Sequence, residues 1–474
     1  MRPFSGSMER MTDEPKKPVS GRTTSPNSPE FMKFISGGWA EENSALPAKA
    51  EVASYAANRR SVVAEAFAGK ILVIEAGGTQ TRSNDTEYRY RAHTSFAHLT
   101  GWGAATVPDS VLVIDTRAHA HHSKLFFRKT AGRDNEEFFT NSMIGEFWVG
   151  PRPGLDSVSS LLDIETHDLA ELDELLSNLP DDLVLRLDDA DLAQFLDELR
   201  LVKDEYEIEQ MRGAVAASVN GFHDVLRAIP RAVGHERGER IIESAFFARA
   251  RLEGNDLGYE TIAASGSHAC ILHWIQNDGP VREGDLLLLD AGVELESLYT
   301  ADVTRTIPIS GHFNATQRKV YEAVLEAADA AFAIAKPGVL FRQLHEAAME
   351  VIAKKMIDWG FIDITLEEAL AGDRQLHRRW MVHGTSHHLG MDVHDCDKAR
   401  REMYREAELR EGMIFTIEPG LYFQPDDLRV PEEFRGIGVR IEDDVLVTEF
   451  GVENLTAALP RHPDDVEAWM AATT

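Results

Sequence analysis

The chain is short of cysteine, of positive charge and of long apolar runs, and each shortage removes a class of protein. Cys270 and Cys396 are the only cysteines in 474 residues and fall in no C-x-x-C pattern. Neither a disulfide framework nor a zinc knuckle is indicated, and both are expected as reduced, structural thiols. Lys and Arg number 49 against 79 Asp and Glu, a formal charge of -30 that repels phosphate backbones and anionic lipid surfaces, so neither nucleic acid nor membrane is expected as a partner. No stretch approaches the roughly 18 apolar residues of a membrane span. The first residues hold no apolar secretion segment, only Pro15, Lys16, Lys17, Pro18 and a Ser/Thr/Pro run to Pro29. A disordered tail over residues 1–47 of a cytoplasmic protein is the expectation.

What is present is a globular composition, 43% hydrophobic and 27% charged, in a chain too long for one core. A helical run from about Ala48 to Phe67 precedes apolar strands at Ile71–Ile74, Val111–Ile114 and Leu125–Phe127, then a helix at Asp168–Leu179 and a strand at Leu183–Leu187. This alternation predicts an α/β domain over 48–196, with Gly150-Pro151-Arg152-Pro153-Gly154 as an internal loop. His119, His121 and His122 read as an exposed turn. From 197 to 460, Ile208, Met211, Val215, Val219, Phe222, Leu226 and Ile229 recur by threes and fours on one helix face, which stops at Pro230. A helix from His235 to Leu252 and strands follow. The order then repeats with helices at Thr316–Ala335 and Phe341–Trp359 and further strands. A duplicated helix-helix-sheet α+β domain, followed by a tail over 461–474, is predicted, with chemistry between its halves.

Leu286-Leu287-Leu288-Leu289-Asp290 is an apolar strand ending in a carboxylate, and a second strand starts just after Asp302. A hairpin centred near Glu296 sets the two aspartates opposite each other, close enough to share a cation. Without one, such a pair repels. Glu418 ends the apolar run Met413–Ile417. Alternation places Arg440 and Glu442 on one strand face, where Arg440 can orient a carboxylate beside it. Four imidazoles, His383, His387, His388 and His394, crowd a glycine-broken segment that reads as a shaped loop or strand edge. Four carboxylates with one imidazole favour a hard divalent ion such as manganese over a thiolate-type zinc site. Two such ions can activate a bridging water and stabilise the oxyanion formed at a carbonyl.

The ordered set Asp290, Asp302, His383-Gly384-Thr385-Ser386-His387, Val393-His394, Glu418-Pro419-Gly420-Leu421-Tyr422 and Gly438-Val439-Arg440-Ile441-Glu442 resembles the pita-bread metallopeptidases, and among them the bacterial aminopeptidase P group. Ile271-Leu272-His273-Trp274, Gly258-Tyr259-Glu260-Thr261-Ile262, Tyr88-Arg89-Tyr90-Arg91 and Phe96–Gly101 fit the same group. The resemblance spans about residues 48 to 460. It implies a dinuclear centre, with Mn2+ expected and Co2+ or Zn2+ as alternatives. Asp290, Asp302, His387, Glu418 and Glu442 would be its ligands, Asp302 and Glu442 bridging. Glu418 would also be the proton shuttle, and His273, His383 and His394 would line the substrate site. Arg440, Tyr422 and Tyr259 would be supporting groups. The implied substrates are peptides with proline second, whose scissile tertiary amide offers no N–H. A homodimer or tetramer is also implied. The competing readings are a prolidase, restricted to Xaa-Pro dipeptides and needing a cation for the free carboxylate, and a binding module of the same fold without catalysis.

Overall fold

The computed structural model describes residues 28–40, 45–118, 120–177 and 179–473. Of the expected tail, residues 1–27 and 41–44 lie outside the described residues, while Pro29–Ser36 is a helix. Ser28 caps it by accepting the Phe31 N–H at 3.2 Å, and Pro29 stands at the helix start, where no N–H is required. Reading the proline-rich composition as disorder overlooked that cap. Of the second imidazole cluster, His119 lies outside the described residues and His122 is exposed at the start of a strand.

The N-terminal domain is built on a five-stranded sheet in the order Glu165–Asp168, His122–Phe127, Val111–Asp115, Ile71–Glu75, Val184–Arg186. Its outer pairings are parallel and its inner ones antiparallel. The helix expected over Asp168–Leu179 is divided. Asp168 closes the edge strand and its side chain accepts the Ala170 N–H, so the helix proper starts at Leu172 and runs to Ser177. The boundary expected at residue 196 falls inside the helix Ala190–Arg200. The break comes at 201–204, where Asp204 caps the next helix, Glu205–Ala232, in a reciprocal box with Glu207.

That helix runs through Pro230 instead of stopping there. The ring removes one backbone donor in the last turn, but Val233 N–H still reaches Ile229 O at 3.0 Å and Ala232 is buried. Met211, Val215, Phe222, Leu226 and Ile229 are buried as their spacing predicts. With Gly238–Glu253 this helix covers the strands Ile262–Ser265, Leu286–Ala291 and Val303–Pro308. The second half repeats the plan with helices Ala315–Ile334 and Phe341–Asp358 and a sheet of Ile414–Ile417, Asp443–Val447 and Val452–Asn454. The expected C-terminal tail is largely a helix, Pro463–Thr473. Its Val466 and Met470 are buried, and its Glu467 accepts the Phe313 N–H at 3.1 Å. No described helix is long and apolar enough to cross a membrane.

The halves meet along one seam. Arg305 has no exposed surface and donates to Asp443 Oδ1 and to Glu442 O, both at 2.6 Å, and to Leu459 O at 3.1 Å. Thr306 Oγ1 donates to Arg440 O at 2.9 Å, and Glu442 N–H to Thr304 O at 3.1 Å. An unpaired guanidinium would be prohibitive here, so these acceptors fix the strand after Asp302 against the segment carrying Glu442.

Candidate metal centre

Asp290 and Asp302 are not directly opposed. Asp290 pairs with Thr304 and Ala291 with Val303, so the hairpin turns one position later than expected and Asp302 is the diagonal neighbour of Asp290. Leu298, at φ 70, supplies the left-handed residue of that tighter turn. The parity of the register is unchanged, so both carboxylates share one face. The phenol of Tyr259 lies 2.6 Å from Asp290 Oδ1 and 2.6 Å from Asp302 Oδ1. One hydroxyl proton serves only one of them at a time, so the other contact requires a proton or a cation.

In the second half, Ile417 pairs with Asp443 and Gly420 with Arg440. The same register carried between them sets Glu418 opposite Glu442. Glu418 is held at the strand end by its N–H to Thr385 O at 2.8 Å. The histidine-rich segment follows the edge of that strand, with His388 bridged to Phe415 and Thr416 N–H donating to His387 O at 2.9 Å. His387 Nδ1 donates to His388 O at 3.1 Å, which leaves Nε2 as the free nitrogen. That nitrogen lies 3.3 Å from Asp302, 3.6 Å from Glu418 and 3.9 Å from Glu442. His388 is buried against Phe341, at 4.6 Å between ring centres, and stands apart from the donors.

All eleven residues singled out from the sequence come together. Ten of them line one cleft of about 660 Å³, and Tyr422 backs it through His383 and Arg440. Arg440 orients a carboxylate as expected, and the one it pairs with is Asp290 of the other half, not Glu442 on its own strand. Its Nε donates to Thr304 Oγ1 at 3.1 Å, and that hydroxyl donates on to Glu442 Oε2 at 2.7 Å. Thr304 was missed in the sequence, although alternation from Asp302 puts it on the same face. Asp444, fully buried behind Asp302 and accepting its N–H at 3.3 Å, was missed as well. Arg440 also donates to Tyr422 Oη at 3.0 Å, which frees that hydroxyl to donate to His383 Nε2 at 2.8 Å.

The electrostatics reflect crowded carboxylates. Burial pushes Glu418 up to about 7, with Asp302 and Asp290 adding to the rise against His387 and Arg440. Burial and its three acidic neighbours raise Glu442 well above the usual range, and burial raises Asp290 despite Arg440. Burial pulls His387 down, but the hydrogen bond its ring donates to Asp302 and the charge of Glu418 outweigh it, and its pKa rises to about 9. The same contact keeps Asp302 below its ordinary value against the effect of burial. Burial and Arg440 lower His383 to about 3, so it is a neutral ring.

Donor atoms of Asp302, His387 and Glu442 fall within 4.8 Å of one another, a spacing that fits ligands around a shared small cation. The accumulated negative charge fits a divalent one. Removing Arg440 leaves Asp290 buried without its partner. Arg440→Ala is therefore expected to lower stability by about 3–5 kcal/mol, read by urea unfolding, and a loss below about 1 kcal/mol would show the pair to be dispensable.

The comparisons with known proteins identify the family. The model of metallopeptidase family M24 matches residues 209–449, and that of the aminopeptidase P N-terminal domain matches residues 55–183. Xaa-Pro aminopeptidase 1 of Streptomyces coelicolor is 46% identical over 97% of this chain and 96% of its own length. The Xaa-Pro aminopeptidase of Escherichia coli is 31% identical over 87% and 96%. Among solved structures, zinc-substituted Escherichia coli aminopeptidase P in complex with product superposes with a TM-score of 0.79 at 30% identity, covering 90% of this chain and 100% of that one.

Proposed function

The chain belongs to metallopeptidase family M24, with the N-terminal domain of aminopeptidase P, and from that premise we propose how its cleft works. The activity is that of a metal-dependent Xaa-Pro aminopeptidase acting on peptides with proline second. Asp290, Asp302, His387, Glu418 and Glu442 would hold two divalent cations, Mn2+ being favoured by the oxygen-rich set, which would supply activation of the attacking water and charge to stabilise the oxyanion. The convergence of these five side chains from both halves on one cleft carries the reading.

Asp302 and Glu442, whose donor atoms lie together with that of His387, would hold the cations from the two halves of the domain. Glu418, facing His387 on one side and lying 3.4 Å from His383 Nδ1 on the other, receives the proton of the attacking water and delivers it to the leaving nitrogen. His383, fixed through Tyr422, and His394, whose ring centre is 4.4 Å from that of His387, line the place of the proline. His273 lines the cleft with them. Tyr259 holds Asp290 and Asp302 in register.

The cleft also bears on peptide length. Arg440 is the only Lys or Arg among its described lining residues, and it is engaged by Asp290, Tyr422 and Thr304. Nothing there is free to clamp the carboxylate of an Xaa-Pro dipeptide. The kcat/KM for Arg-Pro-Pro-Gly is therefore expected to exceed that for Gly-Pro by about tenfold or more, equivalent to ~1.4 kcal/mol. Hydrolysis of the dipeptide alone would make the enzyme a prolidase.

A further inference from the structure

Apart from the proposed ligands, one fully buried carboxylate near the cleft takes all its hydrogen bonds from a single stretch of chain. Glu239, in the first turn of the helix Gly238–Glu253, has no exposed surface. Its Oε1 accepts the Ser265 N–H at 2.8 Å and His268 Nδ1 at 2.8 Å. Its Oε2 accepts the Gly279 N–H at 2.7 Å and the Trp274 indole N–H at 2.9 Å. A carboxylate has about four lone-pair positions, and all are used, by donors at both ends of the 265–279 segment and two within it.

The packing around it leaves little latitude. The Trp274 ring stacks on His268 at 3.9 Å. A Cβ at Gly279 would lie 2.5 Å from the His268 ring and 2.8 Å from Glu239 Oε2, so only glycine fits there. Asn277 ties the same segment to its neighbour, accepting the Ala263 N–H at 3.0 Å and donating to Thr261 O at 2.8 Å. Ala263 belongs to the strand that pairs with Asp290. The segment is thereby locked to the sheet that carries one side of the donor set.

Between these anchors the chain presents His273 to the cleft, with Leu272 and Ile275. The His273 ring makes no hydrogen bond or ion pair among the described residues, so the backbone of this segment is what carries it into the cleft. Trp274 turns inward onto Glu239 while His273 turns outward. We propose that Glu239 is a positioning residue for the reaction: it acts through Trp274 and the 265–279 segment to hold His273 against the substrate. The inference rests on the substrate role given to His273 above.

Glu239→Gln keeps the shape but turns an NH2 group toward two of the four donors. A displacement of about 1 Å at a substrate-contacting group costs on the order of a hundredfold. The kcat/KM for Arg-Pro-Pro-Gly is expected to fall between tenfold and a hundredfold in metal-loaded Glu239→Gln with metal content unchanged. In a His273→Ala background the same substitution should have less than a twofold effect. Equal effects in both backgrounds would make Glu239 a structural residue only and overturn the proposal. If Glu239→Gln does not fold, Trp274→Phe removes one donor while keeping an aromatic ring, and the same cycle should give a few-fold loss that vanishes without His273.

Hydrogen exchange of the 265–279 amides provides a reading independent of turnover. It should quicken in Glu239→Gln, and unchanged exchange overturns the proposal. Absence of wild-type turnover, in contrast, defeats the functional reading and leaves the exchange result to decide whether Glu239 staples the segment.

Discussion

Turnover in Glu418→Gln is expected to fall by about 10²–10⁴-fold, the range lost when a positioned proton carrier is removed. Glutamine occupies the same volume at the end of the strand Ile414–Ile417 and keeps the backbone bond to Thr385. It can neither receive the proton of the attacking water nor supply a ligand charge. Metal analysis separates the two losses: a variant that keeps its cations and is still inactive has lost the proton carrier. The stability effect has the opposite sign. Because burial pushes Glu418 up to about 7, its contribution to stability is fully present below the ordinary carboxylate pKa and is lost as pH rises through 7. At pH 8 the metal-free variant should therefore be at least as stable as the parent, which a thermal melt reads. A variant retaining most of its turnover would remove Glu418 from the mechanism.

Much of this site was legible because its chemistry is written at strand ends. An apolar run closed by Asp290, another closed by Glu418, and Glu442 two positions past Arg440 mark places where buried backbone meets a cleft, and each is there. What sequence pattern left open was long-range geometry. The hairpin between Asp290 and Asp302 was placed one position early because nothing local announced a left-handed leucine at 298. Arg440 was set beside Glu442 by alternation, whereas the seam turns its guanidinium across to Asp290 and leaves Thr304 to reach Glu442. Glu239 gave no signal, since a glutamate in the first turn of a helix is ordinarily solvated and only the folded segment 265–279 surrounds it with donors. At the termini, composition suggested tails where caps and a few apolar contacts form helices at Pro29–Ser36 and Pro463–Thr473.

Chelation is expected to abolish turnover, and the recovery on adding Mn2+ should depend steeply on pH. In the metal-free cleft His387 is raised to about 9, Asp302 and Glu418 together outweighing the effect of burial, while Glu418 stands near 7 and Glu442 well above the usual range. Each proton must leave before its group can bind a cation, so every displaced proton weakens the apparent affinity by about tenfold per pH unit below that group's pKa. Between pH 9 and 7 the release of the His387 proton contributes a slope of about tenfold per unit, to which the raised Glu442 adds. Below pH 7 Glu418 adds a further proton, and the slope steepens by about another tenfold per unit. Stability follows in opposite directions. Both raised groups stabilise the metal-free fold most at low pH, His387 below about 6.5 and Glu418 below about 4.3, and lose that contribution as pH rises through 9 and 7 respectively. Metal-loaded protein gains affinity over the same span. The difference in Tm between loaded and stripped protein should therefore widen from pH 6 to 9, and calorimetric titration in buffers of different ionisation enthalpy should count the protons released. A metal affinity that stays flat between pH 6 and 9 would mean that His387 and Glu418 do not bind the ions.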